Sequence, residues 1–205
     1  MKRIELVVAA ILIIALAIRF AHLPGGSVLI TLSLSLFAVL YMYFSFGLFN
    51  GIRFRKMFKK ASYANITTMR IVGSVMVGLA LAILMTGILF KVMSWPGAGI
   101  NLLFGLVATL IGGAVAAVKL INVKAPFYQR VLKRVAVWGT VGSLLLLAPG
   151  HFMLRLDFRN DPELLEAHIS ARTYPDSLEL WNRVDSLEAD RIQARMQEEF
   201  GLPAE

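Results

Sequence analysis

The stretch that decides the fold is residues 71–118, which reads IVGSVMVGLALAILMTGILFKVMSWPGAGINLLFGLVATLIGGAVAAV. It contains two apolar runs, Ile71–Trp95 and Ile100–Val118, and the Pro96–Gly99 connection between them carries no charge. A helix needs about 20 apolar residues to cross a bilayer. Because proline ends a helix and glycine accepts the dihedral angles of a tight reversal, this stretch predicts a hairpin of two membrane-spanning helices.

Three further apolar segments of spanning length lie outside this hairpin, at Ile4–Leu23, Ser27–Phe49 and Val135–Leu154. Over the 205 residues, hydrophobic residues make up 58% and charged residues 17%. Soluble domains contain about 25% charged residues, so the composition excludes an ordinary soluble protein. The prediction is an all-α polytopic membrane protein of five transmembrane helices with a helical extramembrane tail.

The first hairpin resembles the second. Residues Arg19–Gly26 align with Lys91–Ala98 at an offset of 72 residues, and in both copies a base lies five residues before the proline. Two spans separate the copies, so both hairpins have the same orientation, as in a parallel repeat. The architecture is therefore predicted as two parallel-repeated Pro-Gly hairpins plus a fifth span. The turn residues are Pro24, Gly25, Gly26, Pro96, Gly97 and Gly99.

The charges are unevenly distributed. Residues 1–154 hold 15 Lys/Arg and one acid, Glu5, whereas residues 155–205 hold 6 Arg and 12 acids. The bases stand in short runs between apolar stretches and not on one polar face, which excludes nucleic acid as a partner. Since Lys and Arg stay on the cytoplasmic side, we expect a multi-pass membrane protein with a cytoplasmic N-terminus and a C-terminal tail on the opposite side of the membrane.

The predicted organisation follows from these charges and apolar runs. It consists of a first membrane hairpin (1–50), a basic cytoplasmic connector (51–70), a second membrane hairpin (71–118), a second basic cytoplasmic connector (119–134), a fifth span (135–154) and an acidic helical tail (155–205). Two alternatives stay open. The first span, which contains Ala15-Leu16-Ala17, could be a cleaved signal peptide, and a re-entrant fifth segment would leave the tail cytoplasmic.

The tail contains helix start and stop signals. Asn160 or Asp161 before Pro162 predicts a helix start, and Thr173-Tyr174-Pro175 predicts its end. Asp176 with Glu179 predicts a capping box at the start of a second helix. That helix is expected to run to about Phe200, before the stop signals Gly201 and Pro203. Its apolar residues recur at helical spacing and predict a docking face: Trp181, Val184, Leu187, Ile192, Met196 and Phe200.

Small residues recur at four-residue spacing in the second hairpin. Such stripes are helix-association faces in lipid, but they do not say whether the partner helix belongs to the same chain. The expected packing residues are Ser74, Gly78, Ala82, Gly105, Thr109 and Gly113.

Few polar residues are candidates for chemistry. Arg19 and Lys91 lie within apolar stretches, where long basic side chains reach lipid phosphates; they could instead pair with Asp157 or Asp161 at the root of the tail. His22 stands beside the first turn without a second ligand at metal spacing. With no cysteine and no catalytic grouping, we expect no metal, no cofactor and no enzymatic activity.

Residues 87–99, GILFKVMSWPGAG, resemble the N-terminal membrane hairpin of the gliding-motility protein GldL family of Bacteroidota. The resemblance is best over the third and fourth spans. It implies an inner-membrane protein that assembles around the membrane helices of a partner in a proton-driven motor for gliding and type IX secretion. The family's second helix carries an intramembrane glutamate, whereas the second and fourth spans here contain no Asp or Glu. The resemblance therefore implies compartment, hairpin shape and assembly, and not the motor activity.

These features predict a non-enzymatic integral inner-membrane subunit or scaffold, related to GldL but lacking the motor's intramembrane acid. Its partners would be the lipid bilayer, copies of itself or a membrane-complex partner, and a periplasmic partner for the tail. The alternative is a small transporter or channel, which a water-filled cavity reaching Arg19, Lys91 and Asn101 would favour. A membrane enzyme acting on lipid is a further alternative and would require His22, His151 and Asp157 to meet at one interface.

Overall fold

The computed structural model describes residues 2–57, 59, 62 and 66–201, and for residues 2, 199 and 200 it describes the backbone alone. This described part of the chain is helical and contains no strand. It divides into two compact units, Met1–Pro149 and Gly150–Glu205.

The first unit is built from five long helices. They are α1 (Lys2–Phe20), α2 (Gly26–Asn50), α3 (Thr68–Val92), α4 (Ala98–Val123) and α5 (Pro126–Leu147), with a 3-10 turn at Phe54–Lys56 between α2 and α3. Each helix packs on the next one in the chain, and α5 also packs on α2 and α3. The start of α1, the end of α2 and the start of α5 lie at one end of the bundle, since Arg130 Nη1 donates to Phe49 O at 3.2 Å and Arg134 reaches Glu5. This end is called the basic end below.

Three of these helices are long and apolar enough to cross a membrane: α2, α3 and α4, of 25, 25 and 26 residues. At 1.5 Å per residue, each is about 38 Å long, which exceeds the roughly 30 Å hydrocarbon core of a bilayer. The chain is therefore membrane-embedded through at least these helices. Helices α1 and α5 do not belong to this set because they carry more charge. The charged residues are Lys2, Arg3, Glu5 and Arg19 in α1, and Arg130, Lys133 and Arg134 in α5.

The predicted connector over residues 119–134 is wrong in its bounds. Helix α4 continues to Val123 and α5 begins at Pro126, so that only Lys124 and Ala125 join them. Lys124 has a φ of 51° and closes α4 in the left-handed conformation, and proline is favoured at the first position of a helix. The basic residues that suggested a loop are side chains of helices. Helix α5 consequently begins nine residues before the expected fifth span and ends at Leu147, not at Leu154.

The two Pro-Gly turns, one between α1 and α2 and the other between α3 and α4, share their backbone geometry. His22 and Ser94 both have a φ of 55°, and Gly25 and Gly97 have φ values of 89° and 76°. In each turn a backbone N–H reaches back over five residues, from Leu23 to Ile18 O and from Trp95 to Phe90 O. Both glycines cap the helix that follows.

Glycine is not required at every predicted turn position. Gly99 lies inside α4, and a Cβ built on it would meet no heavy atom within 4 Å. Its inclusion among the turn residues was wrong. Gly26 has a different role, because its Cβ would lie 2.7 Å from Arg19 N, where α1 and α2 approach closely.

The small-residue stripes pack against neighbouring helices of the same chain. A Cβ on Gly78 would lie 2.6 Å from the carbonyl oxygen of Tyr41 in α2, and one on Gly105 would lie 2.5 Å from the backbone nitrogen of Leu84 in α3. Gly113 likewise faces Val135 of α5. The other predicted packing residues are also buried: Ser74, Ala82 and Thr109.

The second unit contains α6 (Phe152–Asp157), α7 (Pro162–Thr173) and α8 (Leu178–Phe200). The predicted start of α7 is confirmed, because the Asp161 side chain accepts a hydrogen bond from Leu164 N at 3.2 Å. The predicted capping box is wrong: α8 has Ser177 as its N-cap, one residue beyond Asp176. The predicted end of α8 is confirmed, with Gly201 as its left-handed C-cap. Pro203 lies outside the described residues.

Helices α7 and α8 bury a small apolar core, formed by Ala167, Ala171 and Val184 with Leu180, Trp181 and Leu187 packed around it. The predicted apolar face of α8 is therefore used only in its first half. Ile192 and Met196 in the second half are 60% and 46% exposed.

Candidate functional site

An ion pair lies between the first and last helices of the first unit, α1 and α5. Arg134 in α5 donates from Nε to Glu5 Oε1 at 2.7 Å and from Nη2 to Glu5 Oε2 at 2.5 Å. The Arg134 side chain is 10% exposed and the Glu5 side chain 18% exposed. Two parallel hydrogen bonds between a guanidinium and a carboxylate are the strongest geometry for such a pair, so the charges compensate each other inside the bundle.

Aromatic side chains extend this pair into a hydrogen-bonded network. Tyr41 in α2 donates its hydroxyl hydrogen to Glu5 Oε1 at 2.8 Å, and Trp138 Nε1 donates to the Tyr41 oxygen at 2.7 Å. Tyr41 is fully buried. The order Trp138–Tyr41–Glu5–Arg134 links three helices and gives each buried polar group a partner, which is the condition under which a buried network stabilises one arrangement.

The surroundings hold the network in place. The Phe37 ring packs edge-on against Trp138 with 4.9 Å between ring centroids, and the Arg134 guanidinium lies 5.6 Å from the centre of the Phe49 ring. Arg134 Nη1 also donates to the carbonyl oxygen of Arg130 at 2.9 Å. A groove of about 550 Å³ opens beside the pair, between α1 and α5. Glu5 and Arg134 thus form a compensated charge pair that lines one side of a groove.

The sequence alone does not identify this site. Glu5 is predicted at the entrance of the first span, and Arg134 falls in the predicted cytoplasmic connector. Their separation of 129 residues leaves no local pattern for the pairing. The available signal is that Glu5 is the one acid among residues 1–154, since a lone acid near a spanning segment needs a base.

The polar residues singled out from the sequence lie at the opposite end of the bundle. Arg19 Nη1 contacts the sulfur of Met93 at 3.1 Å, which joins the two Pro-Gly turns. Lys91 Nζ donates to Ala148 O at 3.2 Å and thereby caps the end of α5. His22 occupies the left-handed position of the first turn. These contacts connect turns and helix ends.

The acidic candidates of the tail have partners within the second unit. Burial lowers the pKa of Arg172, and the negative charge of Asp157 opposes that shift. Asp161 accepts from Arg191 Nε at 2.6 Å. This hydrogen bond, together with the Leu164 N–H, holds the pKa of Asp161 below its usual range. Asp161 therefore braces α7 against α8.

Among residues 2–57, 59, 62 and 66–201, no group of three or more His, Asp or Glu residues could hold a metal ion. Of the three residues required for a lipid-acting enzyme, His22 belongs to the first unit, whereas His151 and Asp157 belong to the second.

Comparisons of the chain with protein-family models, with curated proteins and with solved structures found no match.

Proposed function

We propose that this chain is an integral subunit of a bacterial inner-membrane complex, with five spans and an acidic helical tail that binds a partner. The observation that carries its five-span part is the bidentate contact of Arg134 with Glu5. Helices α1 and α5 pack in the same unit as the three apolar helices, and their inner charges compensate each other there. Both helices can therefore cross the bilayer beside α2, α3 and α4 without an unpaired charge in lipid.

The basic end of the bundle supports an orientation. It includes Arg3, the α2–α3 connection with Arg53 and Arg55, and the start of α5 with Arg130 and Lys133. Since Lys and Arg are retained in the cytoplasm, this end is cytoplasmic in the proposal. The chain then leaves α5 on the periplasmic side, so the tail is periplasmic.

The proposal of a GldL-related subunit draws on the resemblance over residues 87–99. The matching backbone geometry of the two turns, at His22 and Ser94 and at Gly25 and Gly97, supports a repeated hairpin. No acid occurs in α2 or α4, so the proposed role is a scaffold without the motor's intramembrane acid, and a non-enzymatic one. The small-residue stripes already pack against neighbouring helices of the same chain. Assembly with a second copy or with a different membrane protein would therefore use other helix faces.

The tail supplies the proposed periplasmic contact. Ile192 and Met196 lie four residues apart on α8 and remain exposed beyond the α7–α8 core. Neighbours at this spacing lie on one face of a helix, and this face is the proposed contact surface of the tail.

Cysteine labelling tests the topology, because the chain contains no cysteine. Leu23→Cys and Tyr174→Cys stand at exposed positions. In the five-span arrangement, an impermeant maleimide labels both from the periplasm, and labels Arg55→Cys only after permeabilisation. If only α2, α3 and α4 cross, Tyr174→Cys is labelled from the same side as Arg55→Cys. That result would overturn the five-span topology.

The subunit role is tested by purifying the full chain in mild detergent through an N-terminal tag and measuring its native mass. A defined oligomer, or a complex of fixed stoichiometry, supports the proposal. Ile192→Glu with Met196→Glu should release a partner held by the tail. Leu178→Glu, at a position that is 78% exposed on the same helix, serves as the control. Recovery of a lone monomer from wild-type cells would contradict the role.

A small transporter is the second candidate, and one observation favours it: an ionisable pair lies inside the bundle beside a cavity. Intramembrane ionisable residues commonly mark ion or substrate pathways. Ion flux into vesicles containing the purified chain, abolished by Glu5→Gln, would favour this function over the scaffold.

A further inference from the structure

The groove beside the ion pair differs in character along its length. It runs between α1 and α5, with Phe37 of α2 at its base. Its volume of about 550 Å³ lies within the roughly 300–1,000 Å³ of small-molecule sites. Arg130 and Lys133 line the groove at the basic end, whereas Leu6 and Val137 line it farther from that end.

The charge of the groove is positive. Of the described residues that line it, only Glu5 is acidic, and its carboxylate is already bound by Arg134 and Tyr41. Arg130 and Lys133 therefore face the groove without a competing carboxylate among those lining residues. A charge-complementary ligand is an anion.

Arg130 is held in position at this end. Its Nη1 donates to Phe49 O, and its guanidinium lies against Gly51, where a Cβ would be 2.5 Å from Nη1. Arg130 and Gly51 also line a second cavity of about 580 Å³, together with Arg3 and Arg53. Arg130 therefore lies between the groove and a second basic cavity.

The groove follows α5 from Pro126 to Trp138, which is about 18 Å of helix at 1.5 Å per residue. Its basic lining lies towards Pro126 and its apolar lining towards Trp138. Leu6 and Val137, at 69% and 58% exposed, present apolar surface in the part away from the basic residues. A soluble anion would use the basic end alone, whereas an amphiphile uses both ends.

We propose that the groove binds an anionic phospholipid of the cytoplasmic leaflet. The phosphate lies against Lys133 and Arg130, and one acyl chain follows Leu6 and Val137 towards Trp138. The inference rests on the proposed five-span topology, because both walls of the groove must be in the membrane. The bound lipid covers the side of the Glu5–Arg134 pair.

The test uses the full-length chain in detergent with equal amounts of phosphatidylglycerol and phosphatidylcholine, and native mass spectrometry to count retained lipids. We expect wild type to retain phosphatidylglycerol preferentially. Lys133→Gln should lower that occupancy about tenfold, as loss of one charge-assisted contact predicts. Lys119→Gln removes the same charge from an exposed site on α4 outside the groove and should have no effect.

A second pair of variants tests the acyl-chain part. Val137→Trp fills the groove and should abolish retention of both lipids. Val118→Trp, at an equally exposed position of 58% on α4, should not. Equal effects within either pair, or displacement of phosphatidylglycerol by inorganic phosphate, would overturn the lipid site.

Labelling of Val137→Cys in lipid vesicles separates the two proposals. A water-soluble maleimide that reacts there places α5 outside the bilayer and overturns the five-span topology together with the site. If Val137→Cys is protected but lipid retention shows no charge preference, the lipid site alone is overturned. Protection together with selective retention supports both.

Discussion

Arg134 binds both carboxylate oxygens of Glu5, at 2.7 and 2.5 Å, although the two residues are 129 positions apart in the chain. The contact joins the first helix of the first unit, α1, to the last, α5. An interior ion pair of this kind depends on both partners, since either one alone would be an uncompensated charge.

Removing one partner should destabilise the bundle more than removing both. We expect Arg134→Met to lower the free energy of unfolding by about 3 kcal/mol, because Glu5 is then left without its counter-charge. The double variant Glu5→Met with Arg134→Met should recover most of that loss. Unfolding of the full chain in mixed micelles, followed by circular dichroism, measures the change in unfolding free energy for Arg134→Met, for Glu5→Met and for the double variant.

Lys119→Met is the control for loss of a positive charge, since Lys119 is exposed on α4, and it should change the unfolding free energy little. If the double variant is as unstable as Arg134→Met plus Glu5→Met taken separately, the two residues do not act as a pair.

Close helix packing at Gly78 gives a second prediction. A Cβ there would lie 2.2 Å from Ser45 Oγ and 2.6 Å from the Tyr41 carbonyl oxygen, so α2 and α3 must separate to accept it. We expect Gly78→Ala to lower the free energy of unfolding by about 1–3 kcal/mol. Gly73→Ala in the same helix meets no heavy atom within 4 Å and should stabilise by up to about 1 kcal/mol. A stabilising Gly78→Ala would contradict the close packing of α2 and α3.

Much of the fold follows from local sequence signals. The apolar runs locate α2, α3 and α4, and Asp161 before Pro162 locates the start of α7. The bounds of α5 do not follow from such signals, because a run of Lys and Arg is compatible with a cytoplasmic loop and with a helix whose basic residues face an acid or solvent. Only the tertiary position of Glu5 distinguishes these cases at Arg134.

The candidate site depends on long-range pairing in the same way. Arg19 and Lys91 attract attention because they interrupt apolar stretches, yet their contacts are with Met93 and Ala148 at turns and helix ends. From the sequence, Trp138 is interpreted as an interfacial anchor of the fifth span, and nothing singles out Tyr41. Their indole and hydroxyl groups join the network only because Glu5 lies beside Tyr41.

The turn glycines give a third prediction. Gly97 has a φ of 76°, a region that costs a residue with a Cβ roughly 1–2 kcal/mol. We therefore expect Gly97→Ala to destabilise the second hairpin by that amount, measured as the unfolding free energy of the full chain in mixed micelles. Gly99→Ala, two residues later in α4 and in open space, should change it by no more than about 0.5 kcal/mol. Equal effects at the two glycines would mean that the left-handed conformation of Gly97 does not limit the turn.

The pairing of Asp161 with Arg191 predicts how the tail responds to pH. The Arg191 side chain donates to Asp161, with a further contribution from the Leu164 N–H, and this lowers the pKa of the Asp161 carboxyl. A carboxylate whose pKa is lower in the folded state stabilises that state above its ordinary pKa, and the stabilisation is lost as pH falls through the lowered value. Arg191→Gln should therefore raise the pKa of Asp161 towards its ordinary value. The pH range over which the Asp161 carboxylate stabilises the folded tail should then begin at a higher pH.

Carboxyl carbon-13 NMR on the full-length chain measures this titration, and Asp161→Asn identifies the signal. Arg183→Gln is the matched control, because Arg183 lies on α8 and does not contribute to the pKa of Asp161. We expect Asp161 to titrate at its lowered pKa in wild type and Arg183→Gln, and at a higher pKa in Arg191→Gln. An unchanged midpoint in Arg191→Gln would show that the Leu164 N–H alone holds the carboxylate, and that α8 is not braced against α7 at this residue.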